Sequence, residues 1–315
     1  MQDNYGRNIK YLRLSITDVC NYRCIYCMDS DGIGNQKQGS LLSIEELINI
    51  GRAAVDCGIQ KIRLTGGEPL VHKDVLKLCE GLGSIAGLDE LALTTNGALL
   101  PEMAEDLKAV GVDRLNISLD TLNEAKFKRI TRVGKLDEVL EGIEQAVKIG
   151  FENTKINVVL MAGINDDEIV DFVNLTRNYP LSVRFIELMP IGPGKTLYDT
   201  NYISNDIVLD KVPELVAIKQ EGVSSLYKLK DSPGTVGLIS PISHCFCESC
   251  NRIRVTADGR LLPCLHSDLE YSVRGLTQKE LKDTFLLAVK NKPVSHHIIE
   301  NHISDNSDYM HKIGG

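Results

Sequence analysis

The chain has 315 residues, a net charge of −8 and an isoelectric point of about 5.5. This length is enough for one large domain, or for a large domain with a smaller one, and for a substantial buried core. The acidic balance argues against generic binding to nucleic acid or to a membrane surface. No apolar run reaches the roughly 18 residues of a membrane span, and the polar N-terminus lacks the apolar segment of a signal peptide. We therefore expect a cytoplasmic protein.

The nine cysteines fall mainly into two groups, which fits metal binding better than a disulfide framework. The first group follows a strand-like run at 11–16 and has the spacing C-x3-C-x2-C: Cys20, Cys24 and Cys27. Iron–sulfur clusters and structural zinc sites usually take four protein ligands, so three on one tight loop leave a metal position vacant for a small molecule. The alternative is three unrelated thiols in a reducing cytosol.

With Tyr26 before its last cysteine, this motif resembles the signature of the radical S-adenosylmethionine (SAM) enzymes. The resemblance implies that the three cysteines hold a 4Fe-4S cluster whose open iron binds SAM. The turn Gly66-Gly67-Glu68-Pro69 supports it, since two glycines let the backbone approach a ligand without a side chain in the way. In this family the turn binds the amino group of SAM. The residues implied to contact SAM are Tyr26, Gly67, Ser118 and Met189.

Apolar runs alternate with helical patterns through the first two-thirds of the chain. The predicted strands are 11–16, 61–65, 91–95, 114–119, 155–161 and 183–188. Strict alternation predicts an α/β fold with a parallel sheet and right-handed crossovers, either open or curled into a partial barrel. Polar or glycine-rich groups follow five of the six predicted strands, at the edge where a parallel barrel carries its chemistry. The set resembles the partial (β/α)6 TIM-like barrel of radical SAM enzymes, over roughly residues 8–195.

The pattern changes after Pro193-Gly194, so we predict a barrel domain at 1–195 and a smaller α+β cluster-binding region at 196–315. The predicted elements of the second region are a helix near 205–211, antiparallel strands near 226–230 and 236–239, a hairpin at 252–255 and 260–262, and a helix at 278–290. An Asp258-Gly259 turn connects the hairpin strands. We expect a loose tail ending in Gly314-Gly315, and a mobile loop at 28–42 beside the first cysteine group.

The second cysteine group is Cys247, Cys250 and Cys264, with the spacing C-x2-C-x13-C. This pattern fits a zinc ribbon with His266 as fourth ligand, or a second iron–sulfur cluster with one open iron. The run 247–264 closely resembles the C-terminal cluster segment of the GTP 3′,8-cyclases, which begin molybdenum cofactor biosynthesis. That resemblance implies a second 4Fe-4S cluster whose open iron binds the guanine of GTP.

Cations on the predicted strands give a separate argument about the substrate. Arg252 and Arg254 alternate on one strand and therefore project from the same face. The other strand cations are Arg13, Lys61, Arg63, Lys155 and Arg184. Cations that point into a barrel are costly to desolvate unless an anion meets them, and a triphosphate suits the planar fork of arginine. The alternative is that some of them, Lys61 above all, point outward to water.

The resemblance to the cyclases assigns residues to the substrate. The implied GTP contacts are Arg13, Arg63, Thr94, Lys155, Arg252 and Arg254, and the implied catalytic residues are Arg184, Arg252 and Arg254. The C-terminal Gly314-Gly315 corresponds to a tail that enters the active site in that family. Two departures stand out: Cys245 replaces the histidine of many relatives, and residues 222–235 match them poorly.

We therefore predict a lyase-type radical SAM GTP 3′,8-cyclase with two 4Fe-4S clusters and SAM. A 5′-deoxyadenosyl radical would take hydrogen from C3′ of GTP, and the C3′ radical would close onto C8 of guanine. An electron donor and a downstream pterin-forming enzyme are expected as partners, and a homodimer is left open. One alternative is a radical SAM maturase that modifies peptides with an auxiliary cluster, although a peptide gives little reason for so many cations. Another is a non-catalytic zinc-ribbon binding protein, which metal analysis would reveal.

Overall fold

The computed structural model describes residues 1–32, 41–298 and 304–314. Its central part is a run of six parallel strands that pair in chain order. These strands are β1 (Tyr11–Ser15), β2 (Lys61–Thr65), β3 (Glu90–Thr95), β4 (Arg114–Ser118), β5 (Lys155–Leu160) and β6 (Ser182–Glu187). Each predicted strand is confirmed to within one residue at either end, because buried β-branched runs between turn residues mark strands clearly.

Helices connect the parallel strands, as the alternation predicted. They are α1 (Ile44–Asp56), α2 (Val75–Gly83), α3 (Leu100–Ala109), α4 (Glu124–Thr131), α5 (Leu136–Ile149) and α6 (Ile169–Asn178). Ser43 and Glu46 form a capping box at the start of α1, each side chain accepting from the other residue's backbone N–H. Gly150 ends α5 in the left-handed conformation, with φ of 83°.

The second part of the chain extends both edges of this sheet. Its strands are β7 (Val216–Glu221), β8 (Ser224–Lys228), β9 (Thr235–Ile239), β10 (Arg252–Val255), β11 (Arg260–Leu262) and β12 (Tyr271–Ser272). Strand β9 lies parallel to β6, with β8 and β7 beyond it, whereas β10 lies parallel to β1 and continues into β11 and β12. One continuous sheet therefore contains strands from both sides of the predicted domain boundary at 195/196. The division into two domains stays a prediction.

The remaining helices are α7 (Gly194–Asn201), α8 (Asp206–Lys211), α9 (Gln278–Lys290) and α10 (Met310–Ile313). The predicted helices near 205–211 and at 278–290 are confirmed. The α7 helix and the β7 strand were not predicted, because their polar sequences show no clear apolar period. Within the described ranges, no helix is both long and apolar enough to cross a bilayer.

Alternation along the strands separates the core from the interior of the barrel. Leu12 and Leu14 are fully buried in the main hydrophobic core, whereas Arg13 between them lines an internal cavity. The expectation of a loose tail is wrong for 304–314, since His311, Ile313 and Gly314 are buried. Residues 33–40 of the predicted mobile loop, and Gly315, lie outside the described residues.

Candidate active site

Both cysteine trios line one cavity, which encloses about 2000 Å³ of space including its open mouth. The carboxyl ends of the parallel strands form one side of this cavity, and the loops around β10 and β11 form the other. The sequence-predicted residues that line it are Arg13, Cys20, Cys24, Tyr26, Cys27, Arg63, Gly67, Thr94, Ser118, Arg184, Met189, Cys247, Cys250, Arg252, Arg254 and Cys264. Lys155 is the predicted site residue that does not line it.

The first cysteine trio lies on a tight loop directly after β1. The N–H groups of Cys27 and Met28 both donate to the carbonyl of Cys24, at 2.9 and 3.2 Å. The loop is tied to the end of α4, since the N–H of Ile25 donates to the carbonyl of Ile130. Burial raises the pKa of Cys20 to about 11 and that of Cys27 to about 12. A cationic centre such as an iron cluster would favour their thiolate forms.

The two glycines after β2 also have a packing role that the sequence did not predict. A Cβ at Gly66 would lie 2.3 Å from the carbonyl oxygen of Thr17, and one at Gly67 would lie 2.2 Å from that of Val19. The glycines therefore let the start of the cysteine loop pack against this turn, and the space of their missing side chains is filled by backbone. Glu68 is buried and accepts from the N–H groups of Leu70 and Asn96 and from the Thr95 hydroxyl. Burial raises the pKa of Glu68 to about 7.

Tyr26 and Asp120 link the first loop to the end of β4. The Tyr26 hydroxyl donates to Asp120 Oδ2 at 2.7 Å, and Asp120 Oδ1 accepts from the N–H of Val159 at 2.8 Å. Burial raises the pKa of Asp120 to about 6. Ser118 and Met189 lie at the carboxyl ends of β4 and β6 and line the same cavity. The four residues predicted to contact SAM are thus brought together beside the first trio.

The second trio is split between two loops. Cys247 and Cys250 precede β10, whereas Cys264 follows β11. Lys292 is almost fully buried and its Nζ donates to the carbonyls of Arg252 and Pro263, at 3.0 and 2.5 Å. This ammonium holds the two loops together.

Arg7 supports the second trio from the N-terminal segment. Its guanidinium donates to the carbonyl of Cys247 at 2.9 Å and to those of Pro293 and Val294. Asp3 accepts from Arg7 Nε and holds it in place. Burial would raise the pKa of Cys250, but Lys292, Arg252 and Arg7 reverse this and lower it.

The spacing of the sulfur atoms bears on the kind of metal. In the described part of the chain, one trio of possible ligands has all its atoms within 4.8 Å of one another: Cys245, Cys247 and His296. The two predicted trios are therefore more widely spaced. Two thiolates on one zinc ion, each at about 2.3 Å, can be no more than about 4.6 Å apart. Neither predicted trio therefore has the close spacing that a single zinc ion requires. His266 lines the cavity but is not part of a compact zinc site.

Eight cations on neighbouring strands form a belt across the interior of the barrel. They are Arg13, Lys61, Arg63, Arg114, Lys155, Arg184, Arg252 and Arg254. Strand register places Arg13 beside both Arg63 and Arg254, and Tyr11 beside both Lys61 and Arg252. The Tyr11 ring lies beneath three cations at 5.1 to 5.5 Å from their charged groups. The alternative that Lys61 points outward to water is not supported, because its ammonium lies over this ring and pairs with Glu90.

The belt cations differ in their counter-ions. Glu90 pairs with Lys61 and Arg114, and Glu221 pairs with Lys155 and Arg184. Among the described residues, no carboxylate pairs with the remaining four: Arg13, Arg63, Arg252 and Arg254. Burial, then repulsion from Arg254, lowers the pKa of Arg13, and burial lowers that of Arg63 to about 10. This part of the cavity lacks an anion.

Several polar atoms in the cavity have no hydrogen-bond partner among the described residues. Nε of Arg13, Arg63 and Arg252 and the hydroxyl of Thr94 are buried without a hydrogen bond. Burial of each such atom costs free energy unless a ligand supplies the missing hydrogen bond. Three guanidiniums and a hydroxyl fit a polyanion with several acceptor oxygens.

The C-terminal tail closes one side of the cavity. Arg254 donates to the carbonyls of Ile313, at 3.1 Å, and Gly314. Ile313 packs with Ile191 and Leu262 in a small apolar cluster next to Met189. A Cβ at Gly314 would lie 2.3 Å from Thr65 Oγ1, so glycine is needed for this close approach. Met310 and His311 of the tail line the cavity, whereas entry of the Gly314-Gly315 end stays a prediction.

Sequence reasoning missed four residues that shape this site: Arg7, Tyr11, Lys292 and Glu221. Tyr11 was detectable, because it alternates with Arg13 on one face of β1. The other three contact the site through partners at least 29 residues away in the chain, and no local pattern marks them.

Comparisons with known proteins agree with this geometry. Residues 14–176 match the family model of the radical SAM superfamily, and residues 181–298 match that of Molybdenum Cofactor Synthesis C. The chain is 46% identical to a GTP 3′,8-cyclase of Clostridium botulinum, with both chains covered completely. It is 49% identical to a GTP 3′,8-cyclase of Peptoclostridium acidaminophilum, over 99% of this chain and 98% of the relative.

A solved structure supports the fold alone. The crystal structure of Streptococcus suis SuiB bound to S-adenosylmethionine aligns with a TM-score of 0.69 at 14% identity. The alignment covers 94% of this chain and 68% of SuiB. The α/β fold with a partial barrel is thereby confirmed.

Proposed function

Because the chain belongs to the GTP 3′,8-cyclase family of the radical SAM superfamily, we propose that it converts GTP to 3′,8-cyclo-7,8-dihydroguanosine 5′-triphosphate. This reaction is the first step of molybdenum cofactor biosynthesis. The observation that carries the proposal is a set of three guanidiniums, Arg13, Arg63 and Arg252, in a cavity that both cysteine trios line. Among the described residues, the Nε of each lacks a hydrogen-bond partner. A peptide substrate would leave these cations without anions.

The two trios would hold the two 4Fe-4S clusters. Cys20, Cys24 and Cys27 would bind the cluster that receives SAM, and Cys247, Cys250 and Cys264, in the loops before β10 and after β11, would bind the second. When bound, the first cluster and SAM supply the organic radical that starts the reaction. The carbonyl of Gly67 would accept from the amino group of SAM, and Tyr26, Ser118 and Met189 would line its pocket.

The protein's own contribution is binding, orientation and exclusion of water. Arg13, Arg63 and Arg252 would grip the triphosphate, and the Thr94 hydroxyl would add a hydrogen bond. Because these side chains are fixed on neighbouring strands, they would hold C3′ and C8 of the substrate in line for ring closure. The apolar contacts of Ile313 would keep water from the reacting carbons. Arg184 and Arg254 would act beside them on the substrate.

Further partners follow from the chemistry. The reaction needs an electron donor to reduce the first cluster, and its product needs an enzyme that forms the pterin. Both stay predictions, as do the homodimer and the cytoplasmic location. Our proposal rests on relatives that match over their full length, whereas SuiB, at 14% identity, supports only the fold.

The test is anaerobic reconstitution of the protein with iron and sulfide, followed by assay of SAM cleavage with and without GTP. We expect GTP-dependent 5′-deoxyadenosine together with the cyclised nucleotide. Absence of both in a protein that holds its clusters would contradict the proposal. Zinc in place of iron would instead favour the non-catalytic reading.

A matched pair of variants tests the triphosphate contacts. Arg252→Ala should raise the KM for GTP roughly tenfold to hundredfold, the value of one lost charge-assisted contact. Arg52→Ala, on the exposed face of α1, removes the same charge far from the cavity and should leave KM unchanged. Equal effects of the two variants would show that only net charge matters.

A further inference from the structure

Glu221 lies at an unusual place for a partner of buried cations. It is the last residue of β7, the outermost strand of its edge of the sheet, and Gly222 follows with φ of 61°. The strand is largely exposed, with Val216 at 66%. The carboxylate therefore reaches from a hairpin turn at the edge of the sheet to the interior of the barrel.

One oxygen of Glu221 serves two cations. Its Oε1 lies 2.8 Å from Lys155 Nζ and 3.1 Å from a terminal nitrogen of Arg184. The Lys155 and Arg184 side chains are 5% and 7% exposed, whereas that of Glu221 is 41% exposed. The two cations are thus buried, and their anion is partly exposed.

The hairpin fits closely against Arg184. A Cβ at Gly237 of β9 would lie 2.5 Å from Ser224 Oγ and 3.2 Å from Arg184 Cγ. Glycine at 237 makes room for both residues, and register pairs it directly with Arg184. The position of Glu221 therefore depends on how the β7–β8 hairpin and β9 pack around Arg184.

Glu90 provides an internal contrast. It pairs with Lys61 and Arg114 in the same belt, but it is the first residue of β3, in the middle of the parallel sheet. Register pairs Glu90 with Lys61 of β2, and β4 pairs with β3 from Ala92 onward, so the strand that carries Glu90 has a neighbour on each side. Glu221 is at an edge turn, where a small hinge movement separates it from its partners without breaking the parallel strands.

A phosphate and the Glu221 carboxylate cannot share Lys155 and Arg184 at low cost, because like charges about 4 Å apart repel in a partly buried site. The carboxylate is the more exposed of the groups and is held at its edge by one strand. We propose that Glu221 is an exchangeable counter-ion, which neutralises Lys155 and Arg184 in the free protein and is displaced by the triphosphate of the substrate. This inference rests on the proposed function.

The exchange sets the affinity for nucleotide. In the part of the chain that the structure describes, no carboxylate pairs with Arg13, Arg63 or Arg252, so these cations bind the anion first. Lys155 and Arg184 join only after Glu221 has left, so the net gain from these two cations is the difference between phosphate and carboxylate. In the free protein, Glu221 reduces the repulsion within a belt of buried positive charge.

The test compares Glu221→Gln with Glu138→Gln. Glutamine keeps the shape of Glu221 and an oxygen that accepts from Lys155, but it lacks the charge. Glu138 of α5 pairs with Lys135 and its side chain is 43% exposed, close to that of Glu221, so its variant removes the same charge elsewhere. Equilibrium binding is measured on cluster-loaded protein with GTP and with inorganic tripolyphosphate.

We expect E221Q to bind both anions roughly three- to tenfold more tightly than the parent, the range for one partly exposed carboxylate contact. E138Q should match the parent. In turnover, E221Q should lower the KM for GTP without raising kcat. In the parent, GTP should speed hydrogen exchange at residues 216–228, because the hairpin is released.

Weaker binding by E221Q would overturn the proposal, since Glu221 would then position Lys155 and Arg184 for the substrate. Unchanged binding would also overturn it, because the carboxylate would not compete. The proposed function fails separately, if the parent binds GTP but GTP produces no 5′-deoxyadenosine.

Discussion

The first cysteine trio is formed by eight consecutive residues, whereas the second is assembled from two loops that β10 and β11 separate. The first loop is held by its own backbone turn and by α4. The second depends on Arg7 and Lys292, which come from the two ends of the chain. A local motif therefore suffices for one site, and tertiary clamps are needed for the other.

The electrostatic surroundings differ in the same way. Burial raises the pKa of Cys24, and the neighbouring Asp120 carboxylate adds to this effect. Around the second trio, cations outweigh burial at Cys250. The first site is thus shaped to receive a cationic ligand such as SAM, and the second lies on the side of the cavity that would receive an anionic nucleotide.

The largest difference should follow from removing one ligand of each trio. Cys24→Ala should abolish both 5′-deoxyadenosine and cyclised product, because SAM would lose its metal. Cys264→Ala should abolish the product but keep some SAM cleavage that GTP no longer controls. 5′-Deoxyadenosine and the cyclised product are quantified separately in each variant. Complete loss of SAM cleavage in both variants would show that the two sites are not independent.

Lys292→Met tests the clamp of the second trio. Loss of such a supporting group typically costs roughly 10- to 100-fold in metal affinity. Iron should therefore fall from about eight per chain toward about four, the content of one 4Fe-4S cluster. Lys290→Met, at the exposed end of α9, is the matched control and should keep the parent's iron content. An unchanged iron content in the Lys292 variant would show that Lys292 is not needed to hold the second trio.

Thiol reactivity in the cluster-free protein compares the two surroundings directly. The Cys20 pKa is about 11, so at pH 8 only about 0.1% of this thiol is ionised, and its alkylation should rise tenfold per pH unit. Cys250, whose pKa is lowered, should be alkylated faster at pH 8 and level off earlier as pH rises. Peptide mass spectrometry after a short iodoacetamide pulse measures both. The reverse order would contradict the assigned electrostatics.

The smallest effect concerns the tail. Arg260 pairs with Asp308 at 2.7 Å and also with Glu270, but only Asp308 belongs to the tail. Asp308→Asn should weaken tail closure by about 0.5–1 kcal/mol and raise the KM for GTP a few-fold. Glu270→Gln removes a contact of the same arginine and should leave KM unchanged. Steady-state kinetics of the two variants decide the point.

The sequence predicted the parts of this molecule that depend on local pattern. The six parallel strands, the capping box at Ser43 and the turn at Asp258-Gly259 all follow from neighbouring residues. The resemblance to the cyclases predicted that distant side chains such as Arg13 and Arg252 share one cavity. Neither source indicated that Gly66 and Gly67 accommodate backbone.

What the sequence did not predict depends on contacts between distant segments. Lys155 was expected to meet the substrate directly, but Glu221 from an edge strand already pairs with it. The tail was expected to be loose, but Ile313 and Gly314 pack against β2 and β10 and the apolar cluster. Such pairings join residues that the chain separates by tens to hundreds of positions, so no periodicity reveals them.

The most direct test of the central claim is to supply GTP deuterated at C3′ to the cluster-loaded protein and to follow the label. If the cavity holds SAM and GTP between the two trios, deuterium should appear in 5′-deoxyadenosine in proportion to the cyclised product. Unlabelled 5′-deoxyadenosine, formed at the same rate without GTP, would contradict the account.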